Sequence, residues 1–207
     1  MSYENSMEAL VDSMIVSGVL SSENIIAAFT ELDRKYFVPK SQEDYIYIDV
    51  PLPIGNEQTI SQPSTVAFML EHLGAQSGDK VLDIGAGSGW TTALLCYIVG
   101  DKGSVIGLER VEALVEQGKE NLLKLGIPSH CHISKAGTDL GMPSEQFDRI
   151  LVSAGADGIP KELFSQLTVG GTLIIPIRES IYKFIKVSES EVSEEEFYGF
   201  RFVPLVY

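Results

Sequence analysis

The chain has 207 residues, and at roughly 100–200 residues per domain this length favours a single domain. Hydrophobic residues make up 44% of the sequence and charged residues 21%, which is typical of a folded globular protein and excludes disorder as the main state. The 29 acidic residues outnumber the 15 Lys and Arg and give a net charge of -14, so we expect no binding to nucleic acid or to an anionic membrane.

The cellular location and the state of the cysteines are also predicted from simple features. No apolar stretch approaches the roughly 20 residues needed to span a bilayer, and the polar start of the chain lacks the features of a signal peptide. We therefore expect a cytoplasmic protein. Cys96 and Cys131 form no Cys-x-x-Cys pair, and we interpret them as buried thiols. The sequence does not give the oligomeric state, although a monomer is slightly favoured.

The first third of the chain is predicted to be mainly helical. Apolar residues within 7–15 recur at the spacing of an amphipathic helix, and a second helix begins after Ser21 or Ser22 and ends before Pro39. Residues 38–62 are predicted to form a long ordered loop. Loops of this length inside a compact domain are often functional.

From Lys80 onward, predicted strands alternate with predicted helices, after a helix that begins at Pro63. The predicted strands cover residues 81–84, 105–109, 131–134, 150–153 and 173–177. The predicted helices between them cover residues 91–99, 111–125 and 161–167. This alternation predicts an α/β fold with a mostly parallel, Rossmann-like sheet and helices on both faces. We divide the domain into a helical part with a site-covering loop, 1–78, and a cofactor-binding α/β core, 79–207.

The C-terminal tail is predicted to form an antiparallel hairpin at the edge of the sheet. Residues 182–187 and 197–206 lack a helical stripe, and a glutamate-rich run separates them. We interpret this run, 188–196, as a solvated hairpin loop, with an acidic patch that binds a partner as the alternative.

A glycine-rich turn follows the first strand of the core. It reads Asp83-Ile84-Gly85-Ala86-Gly87-Ser88-Gly89. In an open parallel sheet, ligands bind beyond the carboxyl ends of the strands, where glycines let the backbone approach a ligand closely. The third glycine of a dinucleotide fingerprint would fall at Trp90, which disfavours a pyrophosphate cofactor. Glu109 ends the next strand, where a carboxylate can accept hydrogen bonds from both ribose hydroxyls.

An adenosine ligand without pyrophosphate is therefore indicated, and S-adenosylmethionine fits this description. The alternative is that the turn serves packing only and that Glu109 is a solvated surface residue.

Residues 81–90 together with Glu109 resemble the first two cofactor motifs of class I methyltransferases. The rest of the chain resembles one family within that class, the protein-L-isoaspartate O-methyltransferases. The matching segments are Arg34-Lys35-Tyr36-Phe37-Val38-Pro39, Pro51-Leu52-Pro53-Ile54-Gly55, Gln58-Thr59-Ile60-Ser61, residues 147–156, Gln166-Leu167 with Gly170-Gly171, and Arg201-Phe202-Val203-Pro204-Leu205. The segments at 58–61 and 202–205 are the ones that make the resemblance specific.

The resemblance implies transfer of a methyl group from S-adenosylmethionine to the α-carboxylate of an isoaspartyl residue in a damaged protein or peptide. It also implies which residues form the site. Those implied to bind the cofactor are Asp83, Gly85, Ala86, Gly87, Ser88, Gly89, Glu109, Arg110, Ala136 and Gly137. Those implied to bind the substrate are Ile60, Ser61, Val203 and Leu205. The resemblance further implies that Ser61 is the active-site serine, which would orient the reacting carboxylate. Alternatively, Ser61 caps the helix that begins at Pro63.

Two positions depart from the family pattern. Ser64 stands where the family usually has a histidine, and Ala136 stands where it usually has an aspartate that contacts adenine. Two rival functions therefore stay open. One is a methyltransferase of the same fold that acts on another acceptor, and the other is a cofactor-binding module without catalysis.

The histidines give no metal site in the sequence. His130 and His132 are predicted to project from one face of a strand, but no third ligand is evident, and no metal is expected. His72 is predicted to face solvent.

Overall fold

A computed structural model describes residues 6–206 of the chain. Its N-terminal part contains three α-helices and a small hairpin. These elements are α1 (Met7–Val16), α2 (Glu23–Glu31), β1 (Leu52–Gly55), β2 (Gln58–Ile60) and α3 (Pro63–Leu73). Ser6 caps α1, because its side chain accepts a hydrogen bond of 3.2 Å from the backbone amide of Ala9. The three helices agree with the apolar periodicity of the sequence.

The predicted loop over residues 38–62 is partly regular. A 3₁₀ helix covers Lys40–Tyr45, and β1 pairs with β2 in antiparallel fashion, with Leu52 opposite Ile60. The turn between the two strands places Asn56 and Glu57 at positive φ, 52° and 60°. The prolines made this segment look like a loop, but a two-stranded hairpin consists only of edge strands, which tolerate proline.

The core contains a seven-stranded sheet. Its strands are β3 (Lys80–Ile84), β4 (Ser104–Glu109), β5 (Cys131–Lys135), β6 (Phe147–Val152), β7 (Leu167–Ile177), β8 (Ser180–Lys186) and β9 (Val192–Tyr198). The strand order is β5-β4-β3-β6-β7-β8-β9; the first five strands are parallel, β8 pairs with β7 in antiparallel fashion, and β9 pairs with β8 in antiparallel fashion. Two further helices, α4 (Trp90–Val99) and α5 (Glu112–Lys124), connect β3 to β4 and β4 to β5. The predicted fold class is confirmed.

The N-terminal helices pack directly on the core. The ring of Phe29 in α2 meets the ring of Trp90 edge to face, with 5.4 Å between centroids. The indole nitrogen of Trp90 donates a hydrogen bond of 3.0 Å to the backbone carbonyl of Leu32. Apolar residues from both parts of the chain thus share one buried cluster. The division at residues 78 and 79 stays a prediction.

The prediction of free thiols is wrong. Cys96 in α4 and Cys131 at the start of β5 form a disulfide, with sulfurs 2.08 Å apart and Cα atoms 5.9 Å apart. Both cysteines are buried, as predicted. The pairing has no sequence signature because the two residues are 35 positions apart and meet only when α4 packs beside β5.

The C-terminal region corrects two further predictions. The glutamate-rich run is only partly a loop, because β9 begins at Val192 and includes Glu194, Glu195 and Glu196. The predicted helix over 161–167 is a 3₁₀ helix, Lys161–Gln166.

His72 does not face solvent freely. It is half-buried between the rings of Phe68 and Phe197, with 4.3 Å between centroids in both contacts. Phe197 comes from β9, and the helical pattern of α3 could not reveal this contact. Within residues 6–206, no helix has the length and apolar character needed to cross a membrane.

Candidate active site

The glycine-rich turn joins β3 to α4 at the carboxyl edge of the sheet. Gly85, Gly87 and Gly89 have φ values of 86°, 54° and 94°, which residues with a Cβ atom rarely adopt. The amides of Gly85 and Ala86 donate hydrogen bonds of 2.8 and 3.0 Å to the carbonyl of Leu108. The turn is therefore anchored to the end of β4, immediately before Glu109.

Glu109 is buried against this turn, with 6% of its surface exposed. Its carboxylate accepts hydrogen bonds from the backbone amides of Gly87 at 3.0 Å and Val111 at 2.8 Å. Each carboxylate oxygen has a second lone pair that can accept a further bond. The alternative of a solvated Glu109 is therefore wrong. The amide of Ala136 donates to the backbone carbonyl of Glu109 at 2.9 Å, which brings the predicted adenine-side residues to the same edge. Arg110 and Gly137 are exposed there.

Asp83 lies fully buried beneath the turn. Its Oδ2 atom accepts hydrogen bonds of 2.7 Å from the hydroxyls of Thr91 and Thr92, whereas Oδ1 has no partner among the described residues. Burial raises the pKa of the Asp83 carboxyl to about 6, the two threonine hydrogen bonds oppose this rise, and the charge of Glu109 adds to it. An unpaired carboxylate oxygen in a buried position is energetically costly and suits a ligand that donates hydrogen bonds.

Two adjoining cavities lie between the hairpin, the turn and the C-terminal segment. The smaller, about 30 Å³, is lined by residues that include Ile54, Ile60, Ser61, Gly85, Ala86, Gly87 and Ser88. The larger, about 310 Å³, is lined by residues that include Pro51, Thr59, Ser61, Gln62, Arg201, Phe202 and Val203. Thr59, Ser61 and Ser153 line both cavities. The glycine-rich turn bounds the smaller cavity, and the larger cavity opens beside the smaller one.

Not every predicted site residue lines these two cavities. Asp83 lies beneath the turn, Gly89 ends it, and Glu109, Arg110, Ala136 and Gly137 lie at or just after the ends of β4 and β5. Leu205 packs against the apolar core. Its amide donates to the carbonyl of Gly155 at 2.8 Å, and the amide of Gly155 donates to the carbonyl of Val203 at 2.8 Å. These bonds hold the C-terminal segment so that Val203 borders the larger cavity.

Ser61 does not cap α3. Asp49 does so instead, because its Oδ1 atom accepts a hydrogen bond of 2.8 Å from the backbone amide of Ser64, and its Oδ2 atom accepts one of 3.0 Å from Gln62 Nε2. Within residues 6–206, the Ser61 hydroxyl takes part in none of the protein hydrogen bonds. The capping alternative is therefore wrong, and the hydroxyl is available to a ligand.

Arg34 supports the site, although the sequence did not single it out as functional. Its guanidinium is fully buried, lies 5.6 Å from the centre of the Trp90 ring and donates hydrogen bonds to backbone carbonyls. These carbonyls belong to Ile46 (3.0 Å), Ile48 (3.3 Å), Val50 (2.9 Å), Ile60 (3.5 Å) and Ser61 (3.0 Å). Burial lowers the pKa of Arg34 to about 10, and the nearby charge of Asp49 partly offsets this effect. Its position in the segment Arg34–Pro39, which resembles the family pattern, was the available signal.

A parallel sheet with a glycine turn after β3, an acid at the end of β4 and a cavity beside the turn defines a methyltransferase of the Rossmann-like class. The family model for protein-L-isoaspartate(D-aspartate) O-methyltransferase (PCMT) matches residues 5–207. The chain therefore belongs to the PCMT family.

Individual relatives agree with this family. The chain is 43% identical over 192 residues to a protein-L-isoaspartate O-methyltransferase of Flavobacterium psychrophilum, a match that covers 90% of this chain and 88% of that protein. It is 36% identical to the Ignicoccus hospitalis protein of the same name, with 98% of each chain covered.

Solved structures show the same fold. One protein-L-isoaspartate O-methyltransferase superposes with a TM-score of 0.87 and 31% identity over 97% of this chain and 66% of that chain. A Plasmodium falciparum protein assigned to PCMT, in complex with S-adenosyl-L-homocysteine, superposes with a TM-score of 0.85 and 26% identity over 98% of this chain and 99% of that one.

Proposed function

We propose that this chain transfers a methyl group from S-adenosylmethionine to the α-carboxylate of L-isoaspartyl residues in damaged proteins or peptides. The family and the names of its relatives support this activity. The observation that carries it is the position of Ser61, whose free hydroxyl lies where the cavity at the glycine turn adjoins the larger cavity. A residue at this boundary can contact the acceptor beside the methyl donor.

The residues at the carboxyl edge fit an adenosyl cofactor. The unpaired Oδ1 atom of Asp83 suits the methionine end, where it can accept a hydrogen bond directly or through water. The second lone pairs of the Glu109 carboxylate suit the ribose hydroxyls. The smaller cavity has room for only one or two waters, so the ligand extends beyond it toward Glu109 and Ala136. The cofactor supplies an electrophilic methyl group on a positively charged sulfur.

The protein's own residues orient the acceptor. A carboxylate is already ionised at neutral pH, so no general base is required, and alignment of the nucleophile is the main task. The Ser61 hydroxyl donates a hydrogen bond to one carboxylate oxygen, which leaves the other oxygen to form the new bond to the methyl carbon. A bound S-adenosylmethionine would supply the methyl group, and its sulfur would retain the electron pair of the carbon–sulfur bond. Arg34 fixes the backbone of Ser61.

The larger cavity accommodates the isoaspartyl residue. Thr59 and Gln62 from the hairpin region and Val203 from the C-terminal segment border it. Arg201, the cation among its lining residues, is paired with Glu179 at 3.4 Å and gives this otherwise acidic protein a positive group near an anionic acceptor. We propose a cytoplasmic location for this activity.

A methylation assay with labelled S-adenosylmethionine tests the proposal. The acceptors are an isoaspartyl peptide and the same peptide with a normal aspartyl residue. We expect label in a base-labile ester on the isoaspartyl peptide alone, and inhibition by S-adenosyl-L-homocysteine. Binding of the cofactor with no transfer to the isoaspartyl peptide would overturn the proposal and favour one of the two rival functions.

A further inference from the structure

Three potential metal ligands meet at the edge of the sheet opposite the candidate active site. The sulfurs of Cys96 and Cys131 and a ring nitrogen of His130 all lie within 4.8 Å of one another. We call these residues the Cys₂His cluster. Cys131 is the first residue of the parallel strand β5, so the cluster lies at the amino end of the strands, whereas the glycine turn lies at their carboxyl end.

The protein backbone holds the cluster in place. The amide of Cys131 donates a hydrogen bond of 2.9 Å to the carbonyl of Pro128, and the carbonyl of His130 accepts one of 3.1 Å from the amide of Val105 in β4. Cys96 belongs to the last turns of α4. The two cysteines are 4% and 3% exposed. The two cysteines therefore belong to regular, packed elements, and His130 lies in the turn immediately before β5, where its carbonyl is bonded to β4.

The imidazole of His130 provides an independent observation. Its Nε2 atom is buried and has no hydrogen-bond partner among residues 6–206. A buried polar atom without a partner destabilises the folded state by about 1–3 kcal/mol. A bound cation would satisfy this nitrogen, because neutral imidazole is a good metal ligand.

We propose that the Cys₂His cluster binds a zinc ion when its disulfide is reduced. Two thiolates and one imidazole form a donor set that suits Zn²⁺, and they leave a fourth tetrahedral position for water. The cluster contains no carboxylate, and thiolate ligands do not suit Mg²⁺ or Ca²⁺. The Cα separation of 5.9 Å already places the two side chains on a common centre, so the sulfurs need only move apart by side-chain rotation.

The disulfide and the metal site exclude each other, because the same two sulfurs form both. Reduction by a water-soluble phosphine breaks the S–S bond, and the phosphine becomes a phosphine oxide whose oxygen comes from water. Two thiols result, and they release two protons when they bind the cation. Thiols prevail in a reducing cytoplasm. If the chain acts there, the metal-binding form is the relevant one.

Spectroscopy with Co²⁺ in place of Zn²⁺ tests the site. The full chain is unfolded and refolded anaerobically with phosphine, and a thiol titration verifies two thiols per chain. A second sample keeps the disulfide. We expect the reduced protein to bind one Co²⁺, with the visible bands of tetrahedral cobalt and near-ultraviolet charge transfer from thiolate, and the oxidised protein to show neither signal. Added Zn²⁺ should displace the Co²⁺.

His130 and His132 provide a matched pair of variants. His132 is exposed on β5, two positions from His130, and stands outside the cluster. Loss of a residue that only orients a metal ligand weakens metal binding roughly 10- to 100-fold. His130→Ala removes a ligand itself, so we expect it to weaken Co²⁺ binding at least that much. His132→Ala should bind as the wild type does. Circular dichroism verifies the fold of each variant.

Three results would each overturn the proposal. They are the absence of Co²⁺ binding by folded, reduced protein, equal binding by the oxidised protein, and equal affinities of the two histidine variants. The comparison of oxidised with reduced wild type needs no substitution, so it decides the matter even if a variant does not fold. Metal binding is measured directly, so failure here leaves the proposed methyl transfer unaffected.

Discussion

The guanidinium of Arg34 donates a hydrogen bond of 3.0 Å to the backbone carbonyl of Ser61, 27 residues further along the chain. The same nitrogen donates to the carbonyl of Val50 at 2.9 Å, so one buried cation joins the segments on both sides of the hairpin. Arg34 thus positions Ser61, which borders both cavities, although Arg34 itself lines neither of them. This arrangement makes the geometry of the site depend on a buried cation.

Replacement of Arg34 by lysine should impair both stability and turnover. A lysine keeps the charge but cannot reproduce the planar fork that serves several carbonyls, and each unsatisfied buried acceptor costs roughly 1–3 kcal/mol. We expect the free energy of unfolding in urea to fall by about 2 kcal/mol or more and kcat to fall more than cofactor affinity does. Lys35→Ala, at an exposed neighbour whose ion pair with Asp33 is at the surface, should change stability by less than about 1 kcal/mol. Wild-type kcat in Arg34→Lys would contradict the positioning role.

Substitutions at Ser61 and Asp49 should separate catalysis from helix capping. Ser61→Ala removes a hydroxyl without a protein partner among the described residues, so we expect the free energy of unfolding to stay within about 0.5 kcal/mol of wild type while kcat falls. Asp49→Ala removes the cap on Ser64 and should cost about 1 kcal/mol of stability. A Ser61→Ala protein that loses stability but keeps its turnover per folded molecule would show that Ser61 is structural.

Loss of the Glu109 carboxylate should weaken cofactor binding. Hydrogen bonds to a charged acceptor contribute roughly 1.5–3 kcal/mol, so Glu109→Ala should raise the Kd for S-adenosyl-L-homocysteine by about 10- to 100-fold in calorimetry. Glu112→Ala removes an exposed carboxylate on the following helix, whose partner is Lys135, and should bind normally. Equal dissociation constants for the two variants would exclude Glu109 from the cofactor site.

Asp83 should make stability depend on pH in an unusual direction. Its folded-state pKa, about 6, lies above the ordinary value of 3.8, so the folded protein holds a proton that the unfolded chain has released between these values. This contribution to stability is complete below roughly pH 4 and is lost as the pH rises through about 6, a change of about 3 kcal/mol.

Asp83→Asn cannot ionise and should lack this dependence. The free energy of unfolding of wild type minus that of the variant should therefore fall as pH rises from roughly 4 to 6. Urea titrations at several pH values measure the difference, in which contributions from other carboxylates cancel. A difference that stays constant or rises would contradict the raised pKa.

Restoration of an acid at position 136 should tighten cofactor binding. The amide of Ala136 bonds to the backbone carbonyl of Glu109, so this position lies beside the proposed ribose acceptor. Ala136→Asp adds an acceptor for the adenine amino group, and one added hydrogen bond contributes about 1 kcal/mol, or about fivefold in Kd. Thr138→Asp adds the same charge at an exposed position nearby and serves as the control. If both variants bind alike, the adenine lies elsewhere.

The parallel core was predictable because its strands are short apolar runs with clear glycine punctuation. Where apolar runs are interrupted, prediction was less accurate. The strand β7 begins at Leu167, although Thr168 and the glycines after it conceal its first half, and the pairing of β6 with β7 shifts register near Phe147. The irregular pairing lets residues with poor strand propensity continue the sheet.

The site was predictable where backbone conformation dictates residue type, as in the glycine turn. Contacts between distant segments could not be predicted. The burial of Arg34 depends on carbonyls from a loop whose path the sequence does not specify, and the pairing of Cys96 with Cys131 depends on how α4 packs beside β5. Such relationships arise only in the folded chain.

The strand β9 forms one edge of the sheet, and its residues influence whether copies of the protein aggregate at high concentration. An edge strand with unpaired backbone groups is a template on which a second chain can add and begin aggregation. In β9, the consecutive exposed residues Glu194 and Glu195 place negative charge on both sides of this edge. Two copies that approached through β9 would bring like charges together, so the glutamates protect the solubility of crowded protein at this edge.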